Sequence, residues 1–457
     1  MAGRGAVLAL LAVMAGCSGN IDDDFIPLSV TVRVSRTSTG VESNGASADT
    51  VSWNSEARTI SADGRYVAFV SSATNMVPGD TNGRSDVFVR DMLLGTTVRA
   101  SFDPSGVEFV DDAVNPAISA DGRYVAFECF PLPSFVRQIY RRDLLLGITE
   151  MVSEDTATPP GECNRNCFNP AISADGRYVA FETDGWTIVS PEDQFVRFDV
   201  FVRDMTTAVS AGGTRRASAL PDGSEPSSHS FNPSISADGR YVAFASRATD
   251  LGGPFNGDGA IYVRDMSDTA TFSTVRVSVG FGNVDTTLGG FAEEAVICSI
   301  SGDGQFVAFT SRADNLLPAG QDTNGILDVF VWSRATGAIE RVSVHTNGTE
   351  SQSNGSGSTR CSISGDGRIV AFTSDCFNLV TGDVNQARDI FVRDRQLGIT
   401  FRASVRTFGE STLLGQHSGN PSVSMAGRYL VFESDGTNLV DDDLNGRTDV
   451  FLRGTIP

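Results

Sequence analysis

The sequence predicts an all-β fold, a seven-bladed β-propeller of four-stranded antiparallel blades whose last blade is completed by the N-terminal strand. Three observations predict it: one phrase recurs seven times, each recurrence is followed by further strand-like segments, and a strand-like segment before the first recurrence has no unit of its own. Self-similarity at a fixed period is the signature of a repeat architecture. The phrase reads ISADGRYVAF from Ile60, Ile118, Ile172 and Ile235, ISGDGQFVAF from Ile300, ISGDGRIVAF from Ile363 and VSMAGRYLVF from Val423, at spacings of 54 to 65 residues.

Each unit reads as four strands. A first strand carrying Ile-Ser meets a turn at Asp63-Gly64, and Arg65 to Phe69 resumes as a second strand. Gly tolerates positive φ there and Asp bonds its own backbone, so the pair makes a tight hairpin. A third strand of the type Asp86 to Asp91 (DVFVRD) recurs at Asp199 to Asp204, Asp328 to Ser333, Asp389 to Asp394 and Asp449 to Gly454. Its nearly continuous apolar middle suits a strand covered on both faces. The fourth strand is TVRAS at Thr97, TRRAS at Thr214, TVRVS at Thr274, IERVS at Ile339 and TFRAS at Thr400. The seventh unit stops without one, whereas Thr31 to Ser35 (TVRVS) precedes the first unit. That segment is expected to complete the last blade, leaving no open edge. The repeats fill residues 30–457.

Composition narrows function. Hydrophobic residues make up 40% of the chain, with 29 Phe to fill a core. Arg supplies all 35 basic residues against 56 acidic ones, a net charge of −21, and such a surface repels phosphate backbones, so nucleic acid is excluded as a partner. The turn Asp and the following Arg, each found in six of the seven units, are read as blade builders.

The N-terminus reads as an address. Arg4 precedes an apolar run from Ala6 to Ala15, too short to span a bilayer and of the length of a signal-peptide core. It ends in Met14-Ala15-Gly16-Cys17, which resembles the bacterial lipobox. The resemblance implies that residues 1–16 are removed, that Cys17 is lipidated, and, with Ser18 following, that the chain is held at the outer membrane. Residues 17–29, with Asp22, Asp23 and Asp24, then form a solvated tether.

The S-x-D-G-R-x-V-A-F phrase with its D-V-F-V-R-D partner resembles the repeats of TolB-type propellers, over essentially the whole chain after residue 30. The repeats are longer than those of TolB, and its extra N-terminal domain is not expected here. The resemblance implies fold more than function, since such repeats occur in binding proteins and in front of peptidase domains.

Chemistry is sought where units differ. Four carry D-x-N-x-x-x-D before the third strand: Asp80/Asn82/Asp86, Asp322/Asn324/Asp328, Asp383/Asn385/Asp389 and Asp443/Asn445/Asp449. Spaced oxygens in such a loop suit Ca²⁺, the one cofactor the sequence suggests, and equally suit a hydrogen-bonded turn. An acidic residue recurs seven places after the Ser that ends the fourth strand, at Glu42, Glu108, Glu225, Asp285 and Glu350, and marks a candidate binding face of converging loops. Cys163 and Cys167 are the candidate disulfide of an oxidising compartment. No G-x-S-x-G occurs, and three scattered His (His229, His345, His417) make neither a hydrolase nor a metal-dependent lyase. The sequence thus predicts a non-enzymatic recognition or scaffold propeller with an envelope protein, peptide or glycan as partner and membrane contact through the lipid anchor. The alternatives are an enzyme acting on extracellular or envelope polysaccharide and a purely structural component.

Overall fold

The computed structural model describes residues 30–47, 58–131, 136–157, 159–189, 196–252, 259–267, 273–286, 297–353, 355–407, 409 and 412–455. The signal segment, Cys17 and the tether lie outside them. Seven antiparallel sheets follow one another around a ring. Blade two shows the pattern: Ala113–Ile118, Tyr124–Cys129, Gln138–Asp143 and Ile148–Met151, each hydrogen-bonded to the next. In blade one the described strands are Tyr66–Ser71, Asp86–Asp91 and Thr96–Arg99, with Ile60 bridging to Val67.

The ring closes as expected. Val32–Arg33 is the fourth strand of blade seven, with Val32 opposite Leu452 and Arg33 opposite Phe451, and the Val34 N–H donates to the Val450 carbonyl at 2.7 Å. A second closure runs around the axis. In five links the residue after the Ser of the repeat donates its N–H to the carbonyl at that position of the next blade, from Ala62 to Ala120, Ala174, Ala237 and Gly302 and from Gly365 to Met425. In the other two the donor is one residue further on, Asp303 to Gly365 and Ala426 back to Ala62. These bonds satisfy backbone groups that the hairpin turns would otherwise leave buried and unpaired.

Blades pack through a large-against-small fit. In the first interface Ala68, Val70, Val87 and Val89 of blade one meet Val125 and Phe127 of blade two. Every blade also places an aromatic pair across its second and third strands, such as Phe309 and Phe330 at 5.8 Å or Phe244 and Tyr262 at 5.9 Å between ring centroids. The hairpin glycine is fixed twice over: Gly122 has φ +73°, and a Cβ there would meet the Tyr66 ring of the preceding blade at 2.2 Å.

The first strands run further upstream than Ile-Ser. They continue through Asn-Pro pairs, with Asn115, Asn169, Asn232 and Asn420 at φ near +53° and a register shift beside each. Proline has no N–H for the ladder, so the bulge is how a strand passes through it. The third strands of blades two and four, Gln138–Asp143 and Ala260–Asp265, lack the leading Asp of the DVFVRD pattern yet occupy the same place.

Hairpin turns and the turns between third and fourth strands share one side of the ring, where in five blades the Arg after the hairpin turn grips the Asp that ends the third strand. Arg65 bonds Asp91, Arg123 bonds Asp143 and Arg368 bonds Asp394, each closing to 2.6 Å. The loops joining second to third strands and blade to blade lie on the opposite side, where Thr81 and Asn82 bond Glu108 and Phe109.

Candidate functional site

The D-x-N-x-x-x-D loops and the acidic residues of the interblade loops, separate patterns in the sequence, converge on one arginine per blade. That arginine is the third residue of the T-V-R-A-S-type phrase of the fourth strand (Arg33, Arg99, Arg216, Arg276, Arg341 or Arg402). In blade five, Arg341 Nη1 stands 2.7 Å from Glu350, 3.1 Å from Asp322 and 3.3 Å from Asp328. In blade seven, Arg33 Nη1 is 2.5 Å from Glu42 and 3.4 Å from both Asp443 and Asp449. Arg99 contacts Glu108, Asp86 at 3.5 Å and Asp80 at 3.9 Å. Arg402 takes Asp383 at 2.8 Å and Asp389 at 3.4 Å, Arg216 reaches Asp199 and Glu225 at 3.4 Å, and Arg276 reaches Asp285 at 2.8 Å.

Local sequence explains the convergence. The Ser ending the fourth strand donates its hydroxyl to the buried Asp that opens the third strand, at 2.5 Å for Ser343 to Asp328, Ser404 to Asp389 and Ser35 to Asp449. The loop Asn donates to the second oxygen of that Asp: Asn324 Nδ2 at 2.7 Å, Asn385 and Asn445 Nδ2 at 2.9 Å, and Asn82 Nδ2 at 3.4 Å. The interblade Glu then accepts a backbone N–H from the middle of the D-x-N triplet, Thr323 for Glu350 and Leu444 for Glu42, both at 2.8 Å.

The electrostatics follow from burial. Burial pushes Asp86, Asp322, Asp383 and Asp443 up to about 6. For Glu42, Glu108 and Glu350 burial works in the same direction, but donated hydrogen bonds and the arginine outweigh it and hold them below the usual glutamate range. The oxygen set of blade one (Asp80, Asp86, Glu108) lies within 4.8 Å, as a divalent ion requires. Yet Arg99 Nη1 stands against those same oxygens. The loops therefore fit a guanidinium better than Ca²⁺, and each candidate-face carboxylate is engaged inside its own blade.

Blade two departs. Gln138 replaces the buried Asp and Met151 the arginine, and Gln138 accepts from the Ser153 hydroxyl at 2.6 Å. Nearby, Cys163 and Cys167 are both buried free thiols, with Cys163 Sγ 3.7 Å from Thr183 Oγ1 and Cys167 Sγ donating to the Arg165 carbonyl at 3.6 Å. The histidines do not converge. His229 Nδ1 accepts from Phe198 N at 3.0 Å, His417 Nδ1 from Arg388 N at 3.0 Å and His345 Nδ1 from Asn347 N at 3.1 Å, in three different interblade loops.

Sequence reasoning missed a buried carboxylate pair near the inner strands. Glu128 accepts from Asn115 Nδ2 at 2.5 Å, Asn169 N at 2.6 Å and Arg137 Nη1 at 2.8 Å. Glu182 accepts from Asn232 N at 2.5 Å and Asn169 Nδ2 at 3.1 Å. The signal was available: the residue after the repeated V-A-F is Glu in these two units, and Glu433 follows L-V-F in the seventh, but the other four carry Val70, Ala245, Thr310 and Thr373. Burial first, and the Glu128 charge after it, push Glu182 up to about 8. The folded chain thus holds this proton more tightly than the unfolded one. The stabilisation is complete below about pH 4.5 and is lost as pH rises through about 8, a change on the order of 3–5 kcal/mol. Glu182→Gln should match the parent at pH 5 and exceed it at pH 9 in urea unfolding. Equal stability at both pH values would show that Glu182 ionises freely.

Neither a protein-family model nor a curated protein matches the chain. Solved structures do. An oligogalacturonate lyase in complex with manganese is similar at a TM-score of 0.52 and 10% identity, covering 93% of each chain. TolB from Acinetobacter baumannii gives 0.40 and 16% over 85% of this chain and 79% of that one. An acylaminoacyl peptidase from Pyrococcus horikoshii gives 0.46 and 12%, over 85% of this chain and 49% of that one. At these identities the likeness is one of fold.

Proposed function

We propose that this chain is a lipid-anchored envelope propeller that binds a protein, peptide or glycan partner through its loop face and carries out no chemistry there. One observation carries the reading. The ionisable groups of the loop face are engaged blade by blade with arginine and backbone, while Leu444, Val384 and Leu414 stand exposed among them. Isolated apolar anchors in a polar, locally neutralised rim suit recognition. A catalytic centre would instead gather acid, base and metal ligands at one point. No helix among the described residues is long and apolar enough to cross a membrane, which is compatible with attachment through Cys17.

Two measurements test the proposal. Cys17→Ala should release the protein from membranes, and retention through a high-salt wash would reject the anchor. A photo-crosslinker at Leu444, Val384 or Leu414 should trap one common partner in the native envelope, and a crosslinker at Val275, on an outer strand, should not. Release of an unsaturated product from an acidic polysaccharide, read by ultraviolet absorbance, would instead establish the enzymatic alternative.

A further inference from the structure

The turns between third and fourth strands differ around the ring. In blade one Met92-Leu93-Leu94-Gly95 exposes Leu93 and Leu94, the latter at 67%. In blade two Leu144-Leu145-Leu146-Gly147 exposes Leu145 at 75% together with Leu146, and in blade six Gln396-Leu397-Gly398 exposes Leu397. These side chains are held out by rigid turns. Asp91 Oδ1 accepts the N–H groups of Leu93 and Leu94, and Asp143 and Asp394 do the same for Leu145, Leu146 and Leu397. The matching turns of blades three and five carry Thr206, Thr207 and Thr336. Among the described turns, the leucines are confined to blades six, one and two.

Blade seven lies between six and one, and there the incoming N-terminal chain takes the place of that turn. Thr31 Oγ1 accepts from Arg453 Nη1 at 2.6 Å and Val32 pairs with Leu452, so the segment preceding Val30 reaches the ring in the middle of the leucine arc. We propose that this arc, the turns of blades six, one and two around the chain's point of arrival at blade seven, rests on the lipid bilayer. The proposal builds on the reading of Cys17 as the anchor. Twelve residues, Ser18 to Ser29, separate that cysteine from Val30 and span at most about 40 Å. An anchor on such a tether limits distance but not orientation. The leucines orient the ring, because exposed apolar groups at a membrane surface gain by burial among the acyl chains.

The opposite face also exposes apolar groups, but there Leu444 stands beside exposed Asp441 and Asp442, whose hydration opposes insertion. Residues 92–97 and 144–149 carry no charge, and the arginines that flank the leucine turns on this side are paired, Arg65, Arg123 and Arg368 with Asp91, Asp143 and Asp394, and Arg395 with Glu340. The bilayer side is thus the hairpin side, and the loop face points away from it toward a partner.

The test uses the full-length chain as purified from its membrane and reconstituted in vesicles of phosphatidylcholine and phosphatidylethanolamine, with part of the phosphatidylcholine brominated near the headgroup. Tryptophan is introduced by Leu146→Trp, by Leu94→Trp, and by Leu444→Trp on the far face, and emission is read as the difference from the parent. Emission from positions 146 and 94 should fall about twofold or more with brominated lipid, and that from position 444 should not change. Equal quenching at 146, 94 and 444, or none at any, overturns the arc. Detergent-phase partition and the mass of the N-terminal peptide report the anchor separately. Anchored chains with unquenched 146 and 94 reject the orientation alone. Unanchored chains that still quench at 146 and 94 on mixing with vesicles support the arc and reject the anchor. Two leucine positions, each checked by thermal melting, keep the outcome readable if one variant misfolds.

Discussion

Deleting Thr31 to Ser35 is expected to prevent the ring from forming a stable fold, although it removes only five residues. The segment supplies the buried Val34, the completely enclosed Arg33 and the Ser35 hydroxyl that bonds Asp449 at 2.5 Å. Its loss strands two carboxylates, Asp443 and Asp449, that face no other arginine in blade seven. Leaving a buried charge without its partner costs about 3–5 kcal/mol, and losing a buried valine adds roughly 1.5–3 kcal/mol. Against a total stability of about 5–15 kcal/mol, that removes from about a third to all of it. The freed third strand, Asp449–Gly454, would also become an unpaired edge open to aggregation. Soluble yield and melting temperature are the measurements. A permuted chain in which residues 31–39 follow Pro457 through a glycine turn should recover both. A deletion protein that melts with the parent would mean that the ring does not depend on this strand.

The closure was legible in the sequence because a blade is a local object. Hydrophobic alternation, Asp-Gly turns and the count of fourth strands can be read along the chain, and one surplus strand matched one deficit. The site was legible only in its parts. Both acidic patterns stood out, but the arginine of T-V-R-A-S looked like a strand residue. Nothing in linear spacing says that Arg341, Glu350 and Asp322 meet, because that depends on how the second-to-third loop folds back over the fourth strand. Glu128 and Glu182 were hidden for the opposite reason. They occupy a position that four blades fill with Val, Ala or Thr and the seventh with Glu433, and only Asn169, which donates to both, makes Glu128 and Glu182 a pair. The leucine arc was hidden for a third reason: Leu in a turn is unremarkable until the ring shows which blades neighbour the incoming chain.

Arg341→Met is expected to lower stability by about 3–5 kcal/mol, since it leaves Asp322 and Asp328 buried and Glu350 without its cation. The deficit should depend on pH. Burial pushes Asp322 up to about 6 even with the arginine in place, so near pH 5 protonation relieves the unpaired charge, whereas at pH 8 the full cost is felt. Urea unfolding at the two pH values measures the difference. Blade two shows how the position can be filled without ions, with Met151 and Gln138 where blade five has Arg341 and Asp328. Combining Arg341→Met with Asp328→Gln and Asp322→Asn should therefore recover at least about half of the loss, because a hydrogen-bonded neutral set costs less to bury than an unpaired charge. Calcium separates the two readings of the loop. In the parent the guanidinium stands where a divalent ion would bind, so millimolar Ca²⁺ should leave the melting temperature unchanged. In Arg341→Met three carboxylates surround the emptied position, and the same Ca²⁺ should raise it by mass action. A parent that is itself stabilised by millimolar Ca²⁺ would show that ion and arginine are accommodated together, and the loops would then be metal sites after all.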